Sequence, residues 1–242
     1  ITVVQESDEL GYVGAPTAIN TKIINKIVDE KKVPVIAPLG LDNKSPDFSW
    51  IINSEDFNIA QTHYQIFVAT DEIFSKNSLV WDSGKVSSDE SVYVKYVGKA
   101  LSYDTKYFRT VKVWTSQSKR STQSKIMNWR TGLMNADNWK SNWISVSNKD
   151  RELSQAPYFI NDFGLNKKII SANLYITSRG VYEAHINGNR LGDSFLTPGW
   201  TSYKNRIQYQ AYEVKDMLKI GQNRIGVILA DGWFKNFRPN RR

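Results

Sequence analysis

Few side chains in this chain are equipped for chemistry, and their types narrow the chemistry quickly. There is no cysteine and there are only two histidines, which excludes thiolate nucleophiles, disulfides and cysteine-ligated zinc or iron–sulfur sites. His63 sits in the strand-like run from Gln61 to Ile66, and His185 in the alternating run from Val181 to Ile186. Neither follows a Gly-x-Ser-x-Gly elbow, and two histidines without a third close ligand make a poor zinc site. Glu183, Asp193 and Asp231 fall at strand ends and turns, where carboxylates ordinarily cap turns or meet solvent. The densest grouping is Asp193, Trp200, Thr201, Tyr203 and Arg206. A pyranose presents apolar C–H bonds on one face and hydroxyls around its rim. An aromatic face beside carboxylate, hydroxyl and guanidinium groups is what sugar contact requires. The same residues also suit a rigid loop whose tryptophan packs on a neighbouring domain, and residue types alone leave both readings open.

The elements that must position this loop are legible. Val181–Ile186 alternates, so Tyr182, Ala184 and Ile186 share one face and Val181, Glu183 and His185 the other, as in a half-buried strand. Asn187-Gly188 then reads as a type I′ hairpin turn, whose two central residues both need positive φ. Upstream, short strands recur between polar turns: Phe48–Ile52, Tyr64–Thr70, Leu79–Trp81, Ser91–Tyr96, Tyr107–Trp114 and Lys125–Trp129. Downstream they resume at Tyr158–Phe163, Ile169–Thr177, Gln208–Tyr212 and Arg224–Ala230, with at most a helical turn over Val214–Leu218. Leu101, Thr105 and Tyr107 suggest a tyrosine corner, with one more core tyrosine as the alternative.

The fold class is therefore all-β, with two consecutive β-sandwiches. Residues 1–36 form a leader and first edge strand, 37–130 the first sandwich, 131–157 a tryptophan-rich linker and 158–242 the second sandwich. Trp129, Trp139 and Trp143 favour packing between domains over sugar stacking. The net charge of +8 arises from 32 Lys+Arg against 24 Asp+Glu spread along 242 residues. Without a helix-turn-helix, zinc-ligand or RNP pattern this is a basic surface, and no nucleic-acid partner is expected. No apolar run approaches the ~18–20 residues a membrane-spanning helix needs, so no membrane partner is expected either. Because residue 1 is Ile rather than Met, the location is left open, with secretion or the periplasm preferred.

Laid out this way, residues from about Ile36 to Trp233 resemble the amino-terminal part of the bacterial α-L-rhamnosidases of glycoside hydrolase family 78. The first part carries Pro38-Leu-Gly-Leu-Asp42, Pro46-Asp-Phe-Ser-Trp50, Gln61-Thr-His-Tyr-Gln-Ile66 and Trp81-Asp-Ser-Gly-Lys85. The second carries Gly180-Val-Tyr-Glu183, Ile186-Asn-Gly188, Leu191-Gly-Asp193, Leu196-Thr-Pro-Gly-Trp-Thr201 and Asp231-Gly-Trp233. Phe159-Ile-Asn-Asp-Phe163 departs from the family's Phe-Arg-Lys pattern and loses two positive charges.

The resemblance implies a fibronectin type III-like sandwich over residues 37–130, then a jelly-roll or galactose-binding-like module over 158–242 that is incomplete at its carboxyl end, then a helical barrel that carries the catalytic carboxylates. Inverting glycosidases hold such a pair about 6.5–9.5 Å apart. No carboxylate of this chain inherits that role, so no catalytic residue is assigned. The barrel is the implied partner, and rhamnose-containing glycans are the implied ligand, with Glu183, Asn187, Asp193, Trp200, Tyr203 and Arg206 as candidate contacts. Some family members bind rhamnose on a related jelly roll with calcium. On that ground Ca²⁺ is admitted but not required, with Glu183, Asn187 and Asp193 as candidate oxygens, and no metal site is assigned. A lectin-like or structural module standing alone, and a fragment of an active inverting rhamnosidase, remain as alternatives.

Overall fold

The structure is a computed structural model that describes residues 23–27 as backbone and residues 39–52, 54, 58–146 and 156–234 in full. The described residues divide into two compact units, one ending at Met134 and the other beginning at Asn135.

The first unit contains β1 (Ile23–Ile27), β2 (Asp47–Ile52), β3 (Gln61–Ala69), β4 (Leu79–Asp82), β5 (Val86–Ser87), β6 (Val94–Lys95), β7 (Lys106–Thr115), β8 (Ser118–Gln123) and β9 (Met127–Arg130). One sheet has the order β1-β2-β6. The other has the order β4-β3-β7-β8, with β5 also on β3 and β9 on β7. β1 joins β2 in parallel, and the other pairings are antiparallel. Between the sheets lie Phe48 and Trp50 from β2, Tyr64, Ile66 and Val68 from β3, Tyr107, Val111 and Val113 from β7, and Trp129 from β9. Each large apolar side chain buried this way contributes roughly 1.5–3 kcal/mol.

Two details of β7 matter later. The tyrosine corner is present: the Ser102 backbone N–H donates to the Tyr107 hydroxyl at 2.8 Å, and Tyr107 is 2% exposed. Arg109, two residues on, has its side chain on the same inward face and is fully buried. Its guanidinium carbon lies 5.1 Å from the Phe48 ring centroid, and none of its three nitrogens has a hydrogen-bond partner among the described residues. Burial alone pushes the guanidinium down to about 9.

β8 is the strand that hydrophobic patterning does not reveal. Its sequence, Ser-Lys-Arg-Ser-Thr-Gln, is exposed throughout, and it exists because the hairpin closing at Thr115 and Ser118 brings its backbone onto β7.

The second unit contains β10 (Tyr158–Leu165), β11 (Asn173–Ile176), β12 (Val181–Ile186), β13 (Asn189–Arg190), β14 (Gln210–Glu213) and β15 (Gly221–Ala230). A four-stranded antiparallel sheet of order β10-β15-β12-β13 accompanies a two-stranded sheet of β11 and β14. The alternation of β12 is realised as read, with Tyr182, Ala184 and Ile186 buried beside Ile225, Val227 and Leu229 of β15 and Leu174 and Ile176 of β11. The helical turn is a single 3₁₀ turn, Lys215–Met217. Of the tryptophans expected between domains, Trp129 lies in the first core. Trp139 meets Tyr209 edge-on at 5.4 Å, and Trp143 lies 5.0 Å below the Arg179 guanidinium, both within the second unit.

Candidate functional site

The candidate site grows from the β12–β13 hairpin. Asn187 and Gly188 both take positive φ, 50° and 85°, so the two-residue turn sets Ile186 opposite Asn189 and His185 opposite Arg190. Glu183, two residues before His185, shares its face. The Glu183 carboxylate accepts from His185 Nε2 at 2.8 Å and from Arg190 Nε at 3.1 Å. The hydrogen bond from His185, reinforced by the Arg190 charge, holds this carboxyl below its usual range.

Arg190 passes the order outward. It donates to the Ser194 carbonyl at 2.6 Å and the Gly192 carbonyl at 3.4 Å, and its guanidinium lies 4.4 Å from the Phe195 ring centroid. Phe195 is thereby braced from behind while 79% exposed. The next residues are stitched to β12. Tyr182 N–H donates to the Thr197 carbonyl at 2.7 Å, Thr197 Oγ1 donates to the Tyr182 carbonyl at 2.8 Å, and Gln210 Nε2 donates to the Pro198 carbonyl at 3.2 Å. Beyond this stitch Trp200 stands 63% exposed, with Leu196, 59% exposed, on the near side. Thr201 Oγ1 donates to the Arg206 carbonyl at 2.6 Å, closing the following turn, and the Tyr203 ring meets Phe234 edge-on at 5.3 Å. The loop thus presents three exposed apolar side chains, Phe195, Leu196 and Trp200, with Asp193 also exposed.

The six candidate residues separate under this geometry. Asn187 is a fold anchor: its amide donates to the Met217 carbonyl and to Asn223 Oδ1, both at 2.9 Å, and its oxygen accepts the Arg224 N–H at 2.9 Å. Asn223, 2% exposed, completes that knot through Lys219 and Gly221. Glu183 is a brace for Arg190. Trp200 and Asp193 face outward, while Tyr203 and Arg206 are half-buried in the loop's own turn. Arg190 and Phe195 were not among the candidates. Arg190 was findable, because a two-residue turn puts it across from His185.

A general acid needs a carboxyl held above its ordinary range, yet every described carboxyl with a resolved shift, Asp71, Asp162 and Glu183, is held below it by hydrogen bonds. Among the described residues no three of His, Cys, Asp and Glu gather as a metal site. Ca²⁺ seeks six to eight oxygens. Here Glu183 and Asn187 already spend theirs on His185, Arg190 and Arg224, which an ion would have to displace.

Comparison with known proteins places both units. Residues 33–135 match the family described as Rha78A-like, N-terminal immunoglobulin domain, and residues 167–242 match the alpha-L-rhamnosidase N-terminal domain. An alpha-L-rhamnosidase of Formosa agariphila is 38% identical over 205 residues, 81% of this chain and 22% of that protein. One from an Alteromonas species is 34% identical over 213 residues, 82% of this chain and 23% of that protein. Among solved structures, the alpha-L-rhamnosidase from Dictyoglumus thermophilum superposes with a TM-score of 0.76 at 40% identity, over 81% of this chain and 24% of its own. The enzyme from Aspergillus terreus gives 0.68 at 27% identity, over 82% and 23%. The chain thus spans about a quarter of the length of these relatives. A shorter similarity of another kind links 20% of this chain, 49 residues at 55% identity, to 17% of the acetylglutamate kinase of Pelagibacter ubique.

Proposed function

We propose, for a chain that belongs to the alpha-L-rhamnosidase family through both of its amino-terminal domains, that it is a non-catalytic region serving rhamnoside cleavage performed elsewhere in the protein. Its second unit contacts the rhamnose-containing glycan through Phe195 and Trp200, acting together as one ledge. The observation that carries this reading is that two exposed aromatic rings stand on a loop pinned by Arg190 and by the Tyr182–Thr197 pair. Exposed indoles and phenyl rings are usually left mobile. Fixing them removes part of the ordering cost that a ligand would otherwise meet. Rhamnose, a 6-deoxy sugar, offers a methyl group and ring C–H bonds to such a surface, while Asp193 on the same loop can accept from hydroxyls.

A second reading has its own support. Leu196, 59% exposed and between the two in sequence, adds an aliphatic side chain to the ledge, which suits docking onto a protein surface such as the catalytic barrel.

Calorimetric titration with L-rhamnose and a rhamnose oligosaccharide, with and without Ca²⁺, separates the two. Saturable heat that disappears in Phe195→Ala and Trp200→Ala supports glycan contact. No heat from the native chain overturns it. If those variants instead lower the unfolding temperature of the full-length enzyme without changing sugar affinity, the ledge is a domain contact. Turnover of an aryl rhamnoside by this chain alone would overturn the non-catalytic assignment.

A further inference from the structure

The four-stranded sheet of the second unit ends in an edge strand that lacks the usual protection. β10 pairs with β15 along one side, and among the described residues no strand lies along the other. Two other edges are blunted, β8 by Lys119 and Arg120 and β13 by being only two residues long. β10 has eight residues, Tyr-Phe-Ile-Asn-Asp-Phe-Gly-Leu, with no lysine, arginine or proline. Its one charge, Asp162, is held by Arg224 of β15 at 2.6 and 2.7 Å. Tyr158 and Ile160 stand 70% and 63% exposed.

The ladder fixes which backbone groups are free. The Leu229 N–H donates to the Pro157 carbonyl at 3.0 Å, so the residues of β10 that bond β15 are those in step with Pro157, namely Phe159, Asn161 and Phe163. The N–H and C=O groups of Tyr158, Ile160 and Asp162 point to the open side. The same three residues alternate with Phe159 and Phe163, which pack on the core, so their side chains share the outer face. An incoming strand meets free backbone groups and an outward row of Tyr, Ile and Asp together.

That row is self-complementary in one antiparallel register. With Ile160 on a two-fold axis, Ile160 faces the partner's Ile160, and Tyr158 faces the partner's Asp162, whose carboxylate can accept from the phenol. Centring on Asp162 would oppose two carboxylates, and centring on Asn161 would set each Ile160 against an aspartate, both less favourable pairings. We propose that β10 is the docking site for a second copy of this chain, joined edge to edge so that two four-stranded sheets become one of eight. An isologous contact of this kind closes at two copies. A single strand pair is a small interface, so the dimer is weak and concentration-dependent.

Sedimentation velocity of the chain over a range of concentrations should show a reversible monomer–dimer equilibrium. Ile160→Lys puts two ammonium groups on the axis and should weaken association at least tenfold with the unfolding midpoint unchanged. Crosslinking reads the register separately, since the chain has no cysteine. In Ile160→Cys the two Cα atoms would lie about 5.5 Å apart, within disulfide reach, so mild oxidation should give a covalent dimer. In Tyr158→Cys they would lie about 14 Å apart, and crosslinking should be at least tenfold slower. A chain that stays monomeric up to about 1 mM, that builds higher polymers, or that crosslinks as fast through position 158 as through 160 would overturn the proposal. So would a dimer that survives Ile160→Lys but is lost in Phe195→Ala.

Discussion

Replacing Arg109 with methionine should stabilise the first unit. The side chain is fully buried, and burial alone pushes the guanidinium well down, to about 9. Leaving a buried charge without a partner costs several kcal/mol. The ring of Phe48 returns only about 0.5–2 kcal/mol. Methionine keeps most of the volume and removes the charge, and exchanges of buried ions for apolar groups are neutral or gain up to about 4 kcal/mol. Arg109→Met is therefore expected to gain about 1–4 kcal/mol in urea denaturation followed by tryptophan fluorescence, since Trp50 and Trp129 report from the same core. For a domain of this size each kcal/mol raises the unfolding midpoint by about 4–8 °C.

The pH dependence has a definite sign. Above about pH 9 the folded guanidinium holds its proton less firmly than the unfolded one, so stability contributed at this site rises with pH. The advantage of Arg109→Met is full below pH 9 and shrinks above it. Tyr96, pushed up to about 12 by burial, acts in the opposite direction but equally in both proteins, so it cancels in the difference. A loss of more than about 1 kcal/mol on substitution, or a gain that persists unchanged to pH 11, would refute the reasoning and mean that the guanidinium is satisfied in solution.

Tyr107→Phe should cost about 1–2 kcal/mol, because it leaves the Ser102 N–H without its acceptor, and urea titration would show it as a lower midpoint with the same slope. Asn223→Ala should cost about 2–4 kcal/mol, since one buried amide serves Lys219, Gly221 and Asn187 together. Hydrogen exchange should show the β12–β13 turn opening first. Glu183→Gln should loosen Phe195 at neutral pH, read as lost nuclear Overhauser contacts between that ring and Arg190. Because the carboxyl is held below its ordinary range, its contribution is present above that range and fades as pH falls through the depressed value. The two proteins should become alike in strong acid.

How much of this was legible depended on whether a residue's role was local. Val181–Ile186 and its Asn187-Gly188 turn could be read because period-two alternation and paired positive φ are written in consecutive residues. Tyr107 could be read because a corner tyrosine bonds only five residues back. β8 could not, since six exposed polar residues form a strand only through the backbone of a neighbour. Arg109 stood at an inward position of a strand whose period was correctly placed, but its type argued for solvent and its burial depends on β2. Within the site, aromatic and acidic residues after the hairpin marked the right loop. They did not distinguish Asn187, which holds the turn, from Trp200, which faces out, because an amide suits a sugar hydroxyl and a backbone carbonyl equally. Phe195 went unnoticed because its partner Arg190 acquires its position only once the hairpin has closed.

The place of β15 sets the order in which the second unit can form. Its ten residues lie between β10 and β12, and those two strands pair with it rather than with each other. Asp162 and Arg224, joined across that ladder, are 62 positions apart. As the chain leaves the ribosome, β10 and the hairpin must therefore wait with unpaired edges until β15 emerges. Closing so long a loop before any pairing is rewarded makes this step slow. Until it is complete, Tyr182, Ala184 and Ile186 lack their neighbours Ile225, Val227 and Leu229, and that interval is when the nascent unit is most exposed to mispairing with other chains and most dependent on chaperones.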